Sequence, residues 1–509
     1  MKTINTPILR IHARDNVAVA LDDISAGSLI RKERFNVIDP IPAGHKIALV
    51  QIEKGEPVYK YGQIIGFAIQ DIAAGEHVHA HNLGMGDFQR DYAIGANVRT
   101  TELVPEINRP VFEGIVRKNG QVATRNYIGI LATVNCSASV SRFIADSVKN
   151  EVRTAYPNVD GIAALGHGGG CCHTPENEGL TYLQRTLAGY ASHPNFGGIL
   201  LVGLGCEGNQ IDCLMQNMSL QAGPFLHTLN IQTVGGTRAT VEKGLDAIRQ
   251  MLPQVNAVSR QNVPVSHITL ALECGGSDAY SGISANPALG AAVDLLVQNG
   301  GTAVLSETPE IYGAEHLLTR RADSPMVGEK LIQRIRWWES YTARNGGELN
   351  NNPSPGNKAG GLTTILEKSL GAASKGGSTN LMNVYEYAQQ VRSKGLVFMD
   401  TPGYDVVSIT GMIAGGANMI CFTSGRGTVC GFKPVPTIKL ASNTRMYNQL
   451  QEDMDIDCGP IVDGSATVEE KGAEIFNHIL TAASGTKVKS ELLGFGDTEF
   501  VPWHIGAIV

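Results

Sequence analysis

The sequence predicts an α/β protein: a small all-β domain at the N-terminal end, then two further α/β domains with mainly parallel sheets. Three observations carry this. Residues 8–82 read as short runs at near period two, broken by glycine turns. From residue 113 strand-like apolar runs alternate with stretches of helical spacing, the pattern of a parallel sheet. The length, 509 residues, suggests about three domains at about 150 residues each.

The first region is read as a β module over 1–92. LRIHA, VAVALDDI, KIALVQIE, EPVYKYGQIIGFAIQDI and HVHAHN alternate in the manner of strands, and the turns SAG, PAGH, EKGE and AAGEH separate them. The phrase I-x-x-G recurs at Ile24–Gly27, Ile52–Gly55 and Ile72–Gly75. Residues 93–112 lack periodicity and read as a linker. Residues 113–265 form the first α/β domain, with NYIGILATV, GIAALGHG, GGILLVGLG and NIQTV as strands and the polar stretch 253–265 closing it. Residues 266–509 form the larger one, with HITLALECGG, TAVLSE, LVFMD, MICFTSG and TIKLAS as strands. The Gly/Pro-rich stretch 347–378 reads as a linker or as a loop around an anion.

With 41 basic and 48 acidic residues the net charge is −7, which argues against nucleic-acid and anionic-membrane partners. The start lacks a signal-peptide apolar run, Arg10 and Arg14 interrupting it, and stretches such as 198–205 are too short to span a bilayer. A cytoplasmic protein is expected. The nine cysteines are odd in number and widely spread, unlike a disulfide framework. Core filling, nucleophilic chemistry or soft-metal ligation remain for them.

Cys136, Cys171, Cys206 and Cys274 each fall just past the carboxyl end of a predicted strand, the edge where open α/β sheets bind ligands. One such cysteine is more often a small buried hydrophobe; four at one kind of edge point to a site. His167-Gly-Gly-Gly-Cys171, with Cys172 and His173 behind it, joins imidazole and thiolate, and Cys206-Glu207 adds a carboxylate. The expected metal ligands are therefore His167, Cys171, Cys206, Glu207, Cys136 and Cys274. The blander readings are a turn histidine and a helix-start glutamate. Gly203-Leu-Gly205-Cys-Glu-Gly208 formally fits the dinucleotide fingerprint, but Glu207 stands where a pyrophosphate would approach and the next strand lacks a ribose-binding acid.

Ser277-Asp278, Asn352-Pro-Ser354-Pro-Gly-Asn357-Lys358 and Arg426-Gly-Thr428 offer hydroxyl, amide and cationic groups suited to a small polyhydroxylated anion. Each could equally be ordinary loop chemistry. In the β module, His12 with Asp15, Gly44-His45-Lys46 and the Lys60 turn are the candidates; His79 and His81 on a predicted strand read as structural.

At these residues the sequence resembles the altronate/galactarate dehydratase family. IHARDNVAVAL (11–21), GHKIAL (44–49), DIAAGEHVHAHN (71–82), GLGCE (203–207), ECGGSDAYSGISANPALG (273–290), NPSPGNKAGGLTT (352–364) and GRGT (425–428) carry the likeness, nearest to the altronate-acting members. The resemblance implies a β-clip (SAF-like) fold for the module, a dimeric assembly, a small sugar-acid substrate, and Fe²⁺ or Mn²⁺ as cofactor, with an iron–sulfur cluster as the open alternative. It also implies loss of water from a 2,3-dihydroxy acid, D-altronate giving 2-dehydro-3-deoxy-D-gluconate. Galactarate dehydration and sulfite elimination from sulfolactate are the family's other reactions. Two departures bear on the substrate: Gly-Gly-Gly inside 167–171, where the family carries Tyr, and Val429-Cys430-Gly431 in place of Pro-Tyr-Gly.

For that reaction His12, His45 and His167 are the candidate acid and base. Lys358 and Arg426 are expected to stabilise the carboxylate charge. Lys60, Ser277, Asp278, Asn352, Ser354, Asn357 and Thr428 are expected to bind substrate. A nicotinamide oxidoreductase and a non-catalytic sugar-acid sensor are the rival classes.

Overall fold

The computed structural model describes residues 8–31, 33, 35–86, 88–171 and 177–506; the expectations on Cys172 and His173 lie outside them. The N-terminal module is all β. A four-stranded antiparallel sheet runs Ile8–Leu9, Val17–Ala20, Lys46–Ala48, His77–Val78, and a three-stranded one joins Pro57–Lys60, Gln63–Ala68 and Leu83–Gly84. The recurring I-x-x-G phrase is its scaffold. Ile24, Ile52 and Ile72 are buried bridge residues, and Gly27, Gly55 and Gly75 turn the chain with positive φ.

The second domain has four parallel strands: β1 (Tyr127–Ala132), β2 (Gly161–Leu165), β3 (Phe196–Gly203) and β4 (Leu226–Asn230), in the order β2-β1-β3-β4. The fourth strand precedes the one expected: Ile231–Val234 is a helical turn started by the Asn230 side chain. The polar stretch 253–265 also differs. Its end, Gln261–Pro264, pairs with Val111–Val116, so chain entering and leaving the domain closes one antiparallel sheet.

The C-terminal domain is built on seven parallel strands: β5 (Thr269–Cys274), β6 (Thr302–Leu305), β7 (Leu381–Tyr385), β8 (Gly395–Met399), β9 (Met419–Ser424), β10 (Thr437–Ala441) and β11 (Ile456–Asp457). Their order is β7-β8-β6-β5-β9-β10-β11. These strands are buried along most of their length, as a sheet covered on both faces requires. Residues 347–378 are neither linker nor open loop: they hold Pro355–Ala359 and the buried helix Ile365–Ala373. Among the described residues no helix is long and apolar enough to cross a membrane.

Helices α1 (Asn135–Ala155) and α2 (Glu178–Ala191) follow β1 and β2, and α3 (Asp405–Ala414) follows β8. Tyr182 near the start of α2 packs on Tyr387, whose hydroxyl donates to the Val407 carbonyl near the start of α3. Gly189 near the end of α2 lies against Ala414 at the end of α3. The two helices run side by side in the same sense, so both sheets turn their carboxyl edges to one side of the molecule.

Candidate active site

In each sheet the first strand is flanked by strands running out in opposite directions. The crevice where strand order reverses lies between β5 and β9 in the larger sheet and between β1 and β3 in the smaller one. Such crevices are the usual ligand sites of open α/β sheets.

In the larger sheet the loop after β5 (Gly275–Asp278) and the loop after β9 (Gly425–Arg426) lock together: Gly425 and Arg426 N–H donate to the Gly276 carbonyl at 3.1 and 2.8 Å. A Cβ on Gly425 would lie 2.2 Å from the Asp278 carboxyl carbon, so glycine permits the approach. Asp278 is buried and accepts from Ser281, Ser442 and Asn443, which ties the floor together. A cavity of about 870 Å³ opens above, lined by Asp22 and Asp23 of the module together with Tyr280, Arg426, Arg445 and Asp463.

The β module closes this cavity from the side. Gly361 sits with φ +96°, and a Cβ there would lie 2.4 Å from the Gly44 carbonyl, so backbone meets backbone. Lys46 and Lys60 of the module both reach Glu367, at 2.8 and 2.9 Å, with all three side chains buried. The two ammonium groups draw the Glu367 carboxyl well below its ordinary range against its burial. Burial, with the second lysine's charge, pushes Lys46 down to about 8. Two cations facing one anion leave one ammonium under-compensated.

Beside this pair is a histidine cluster that sequence reasoning missed. His45, His77 and His79 place ring nitrogens within 4.8 Å of one another. His45 Nδ1 is 3.0 Å from His77 Nε2, and His45 Nε2 is 3.3 Å from the Ala359 carbonyl, next to Lys358. Burial lowers all three, His77 to about 4 and His79 to about 3, so the rings are neutral and present lone pairs at pH 7. His79 Nδ1 is buried without a partner. The alternation H-x-H-x-H over 77–81 was the available signal.

A second buried group lies on the same edge of the larger sheet. Glu273, Glu307, Glu310 and Asp405 face Lys368 and Lys375; Lys368 pairs with Glu310 at 2.6 Å and Lys375 with Glu307 at 3.1 Å. Glu273 Oε1 and Glu307 Oε1 find no donor. Burial and the neighbouring Glu307 carboxylate push Glu273 well up, so it retains a proton. Burial, then Glu307 and Glu310, push half-buried Asp405 up to about 7. Those two shifts bring four acids and two lysines close to charge balance.

Several expected site residues have other employment. Lys60 is not offered to a ligand but spent on Glu367. Ser354 and Asn357 form a capping box, and Asn357 donates to the Ser277 carbonyl. Asn352 bridges Glu310 and Lys368. Thr428 Oγ1 contacts Cys430 Sγ at 3.3 Å. His12 sits exposed against Gly62, its Nδ1 accepting from Arg14 N–H, and makes no ring contact with the histidine cluster among the described residues.

The six expected metal ligands are not one set. Cys274 is buried against Glu307 and Glu310 at 3.6 and 3.4 Å, on the larger sheet. His167 is held at both ring nitrogens, Nε2 to the Ala132 carbonyl and Nδ1 from Gly169 N–H, which leaves no lone pair for a metal. Glu207 folds back to accept from Thr133 Oγ1, Leu204 N–H and Gly205 N–H. That carboxylate fills the amide nest a pyrophosphate would need, so the dinucleotide reading fails on geometry. Cys136, Cys171 and Cys206 are exposed, in the loops that follow β1, β2 and β3 of the smaller sheet.

Family models match the chain in three consecutive parts: the altronate/galactarate dehydratase SAF domain over 6–86, the D-galactarate dehydratase/altronate hydrolase second domain over 114–256, and the D-galactarate/altronate dehydratase C-terminal domain over 265–508. Altronate dehydratase of Bacillus subtilis is 34 % identical over 490 residues, covering 95 % of this chain and 96 % of that protein. The chain belongs to the altronate/galactarate dehydratase family. Galactarate dehydratase of Escherichia coli is 35 % identical across 94 % of this chain and 93 % of its own length. The (2R)-sulfolactate sulfo-lyase of Chromohalobacter salexigens is similar in two pieces. Its beta subunit is 28 % identical over 76 % of this chain and 96 % of its own length, and its alpha subunit 36 % identical over 14 % and 88 %. In this family, then, a small unit and a large one can be separate chains, as the docked β module here suggests.

Proposed function

We propose that the chain dehydrates D-altronate to 2-dehydro-3-deoxy-D-gluconate in the cavity between the β module and the β5/β9 crevice. Hydro-lyase chemistry on sugar acids follows from the family. The observation that carries the location is the docking of the module's histidine cluster onto the Ala359 carbonyl, beside the crevice. A cavity of about 870 Å³ suits a six-carbon acid. Its arginines, Arg426 and Arg445, suit a carboxylate, and Asp22, Asp23 and Asp463 suit hydroxyl groups.

The difficult step is loss of the proton at C2, which puts charge onto the carboxylate. Cationic groups beside the carboxylate meet that charge, and Arg426 on the cavity wall is placed to hold the carboxylate itself. Asp405, held near neutrality, has the pKa range of a general acid or base on this edge. The three imidazoles fit a first-row divalent ion such as Fe²⁺ or Mn²⁺: they are neutral, mutually close, and one buried nitrogen lacks a partner. Bound by His45, His77 and His79, such an ion would act as a Lewis acid toward the carboxylate or the departing hydroxyl. The exposed thiols of Cys136, Cys206 and Cys213 suit a reducing, cytoplasmic setting.

Galactarate is the second reading, because identity to the two kinds of relative is equal within 1 %. Anaerobic assays with Fe²⁺ on altronate, galactarate and (2R)-sulfolactate, scored for 2-keto-3-deoxy acid and for sulfite, separate the readings. Altronate should be turned over fastest, and failure with every sugar acid removes the proposal. His79→Ala should lower both bound iron and kcat; unchanged iron moves the ion elsewhere.

A further inference from the structure

A cavity of about 670 Å³ opens at the amino edge of the smaller sheet, opposite the β1/β3 crevice and unused by the reaction above. Its walls are the first residues of β3, the turn before β4, the residues after α2, the end of the helix Thr237–Asn256, and the hairpin turn between Val111–Val116 and Val122–Ala123. Phe196, Phe225, Val255 and Val258 give it apolar surface. Its charge runs against the rest of the chain, which carries 48 acidic and 41 basic residues. The catalytic cavity has Asp22, Asp23, Asp278 and Asp463 on its walls. Here the charged side chains are Arg117 and Lys118, and among the described residues no carboxylate lines the cavity. His193, lowered to about 4 by burial, adds no charge at pH 7.

Arg117 is half-buried without a counter-ion. Its Nε donates to the Pro194 carbonyl at 2.7 Å, just past the end of α2, the service a cation ordinarily gives a helix carboxyl end. That leaves the outer edge. Nη2 reaches the Arg125 carbonyl only at 3.5 Å. Nη1 makes no hydrogen bond among the described residues and lies beside Gly197, where a Cβ would stand 3.4 Å away. Asp160, whose field reaches Arg117, is taken up by Asn126 N–H at 2.7 Å. Burial accordingly pushes Arg117 down to about 10. Arg125 nearby is buried too, but takes the Glu491 carboxylate with two nitrogens. A guanidinium edge left without an acceptor is costly, and it matches the two oxygens of a carboxylate. Lys118 stands at the rim, its Nζ 5.6 Å from the centre of the Phe225 ring. That ring is held in place: Gly223 and Leu226 exchange backbone hydrogen bonds at 3.0 and 3.2 Å, and the Phe225 carbonyl accepts Ile199 N–H at 2.7 Å.

We propose that this cavity is a second, non-catalytic binding site for an aromatic carboxylate, with Arg117 and Lys118 meeting the acid group and Phe225 with its apolar neighbours holding the ring. A carboxylate suits the walls better than a phosphate does. The helices that end at this edge, α2 and Thr237–Asn256, present their carboxyl ends, the wrong pole for a doubly charged anion. One guanidinium fork balances one negative charge. The aromatic body follows from Phe225, against which a second ring stacks or packs edge-on.

The test uses the full chain and para-benzoylbenzoate, an aromatic carboxylate whose ketone inserts into nearby C–H bonds under ultraviolet light. Labelling of the wild type should saturate, and the labelled peptides should carry residues 191–199, 221–226 or 254–261. Excess naphthoate should abolish the label. Naphthalenemethanol, which has the ring without the charge, and inorganic phosphate, which has the charge without the ring, should each protect at least about tenfold less well. By titration calorimetry Arg117→Met should weaken the probe at least about tenfold and Lys118→Met by less, while Arg426→Ala in the catalytic cavity should leave it unchanged. Arg117→Met can disturb the turn that carries it, and the wild-type label map with its competitors decides without that variant. Labelling that does not saturate, label spread over the surface or confined to the catalytic cavity, protection by the alcohol or by phosphate equal to that by naphthoate, or wild-type affinity in Arg117→Met overturns the proposal.

Discussion

The C-terminal domain carries two docked units and registers them by different means. The β module is registered by buried charge, Lys46 and Lys60 closing on Glu367, on top of apolar packing against Ala314, Leu370 and Ala373. The second domain is fixed by apolar packing and neutral hydrogen bonds. Tyr182 stacks on Trp503 at 5.2 Å, Gly189 lies against Ala414, Thr124 donates to the Asn418 carbonyl and His193 Nε2 to the Ala417 carbonyl. The ion pairs Arg125–Glu491, bidentate, and Arg185–Glu386, exposed, are the exceptions. Buried ions are a weak source of stability but a strict one of register, because any misfit leaves a charge unpaired. The unit that must present its histidines at the cavity wall is held by the strict device. The unit that frames the sheets is held by the forgiving one.

The largest effect should come from breaking the ionic contact. Glu367→Gln leaves two buried ammonium groups with no carboxylate, a change that costs about 3–5 kcal/mol when one partner of a buried pair is lost. The module should undock: protease should cut within 93–112 faster, and kcat should fall by at least about a hundredfold, since about 3 kcal/mol corresponds to more than that. Replacing all three residues together, Lys46→Met, Lys60→Met and Glu367→Leu, should recover much of the docking. If Glu367→Gln resists protease as well as wild type does, the ionic account of the interface is wrong.

The neutral interface should instead reveal itself in acid. His193 is buried as the uncharged ring, donating from Nε2 and accepting Asn195 N–H at Nδ1, and burial lowers it to about 4. Unfolded, it titrates near 6.5. Between those values the unfolded chain binds the extra proton, so His193 contributes fully above about pH 6.5 and loses its contribution as pH falls toward 4. The gap corresponds to about 3 kcal/mol at most. His193→Gln keeps a donor and an acceptor but cannot titrate. Urea melts at pH 7 and pH 5 should show a smaller acid loss for the variant than for wild type. Equal losses would mean that another group governs this interface in acid.

The same contrast explains what the sequence made legible. Carboxyl-edge motifs such as Glu273–Asp278 and Gly425–Thr428 are contiguous, and a glycine run after an apolar strand announces an edge. The I-x-x-G turns of the module were equally local. What escaped is assembled across distance: Glu367 is more than 300 residues from both lysines it binds, and the Glu273, Glu307, Glu310, Asp405, Lys368, Lys375 group draws on four separate segments. The histidine at 79 was visible as a residue, but on a predicted strand it read as structural until His45 was brought against it, and His77 drew no reading at all. Capping chemistry misled in the other direction. Ser354 and Asn357 look like ligand groups in sequence and serve the backbone of a helix start. The stretch 347–378 looked open because its apolar content is low, yet Ile365–Ala373 is buried throughout.

The smallest effect, and the sharpest test of where the ionic unit and the crevice meet, concerns Arg426. Its side chain is exposed, stands on a loop fixed by Gly276, and lines the cavity that the module closes. It takes part in neither docking interface, so its loss should not alter protease resistance or melting. If it holds the substrate carboxylate equally in ground and transition states, Arg426→Ala raises KM about tenfold with kcat nearly unchanged, the loss of one charge-assisted contact. A matching fall in kcat would instead place Arg426 against the charge that develops as the C2 proton leaves. Wild-type KM and kcat together would remove it from the site and move the carboxylate toward Arg445 or Lys358. Lysine at this position separates charge from geometry: Arg426→Lys keeps the cation but loses the fork, and recovery of KM by lysine would mean that the carboxylate is met by charge alone.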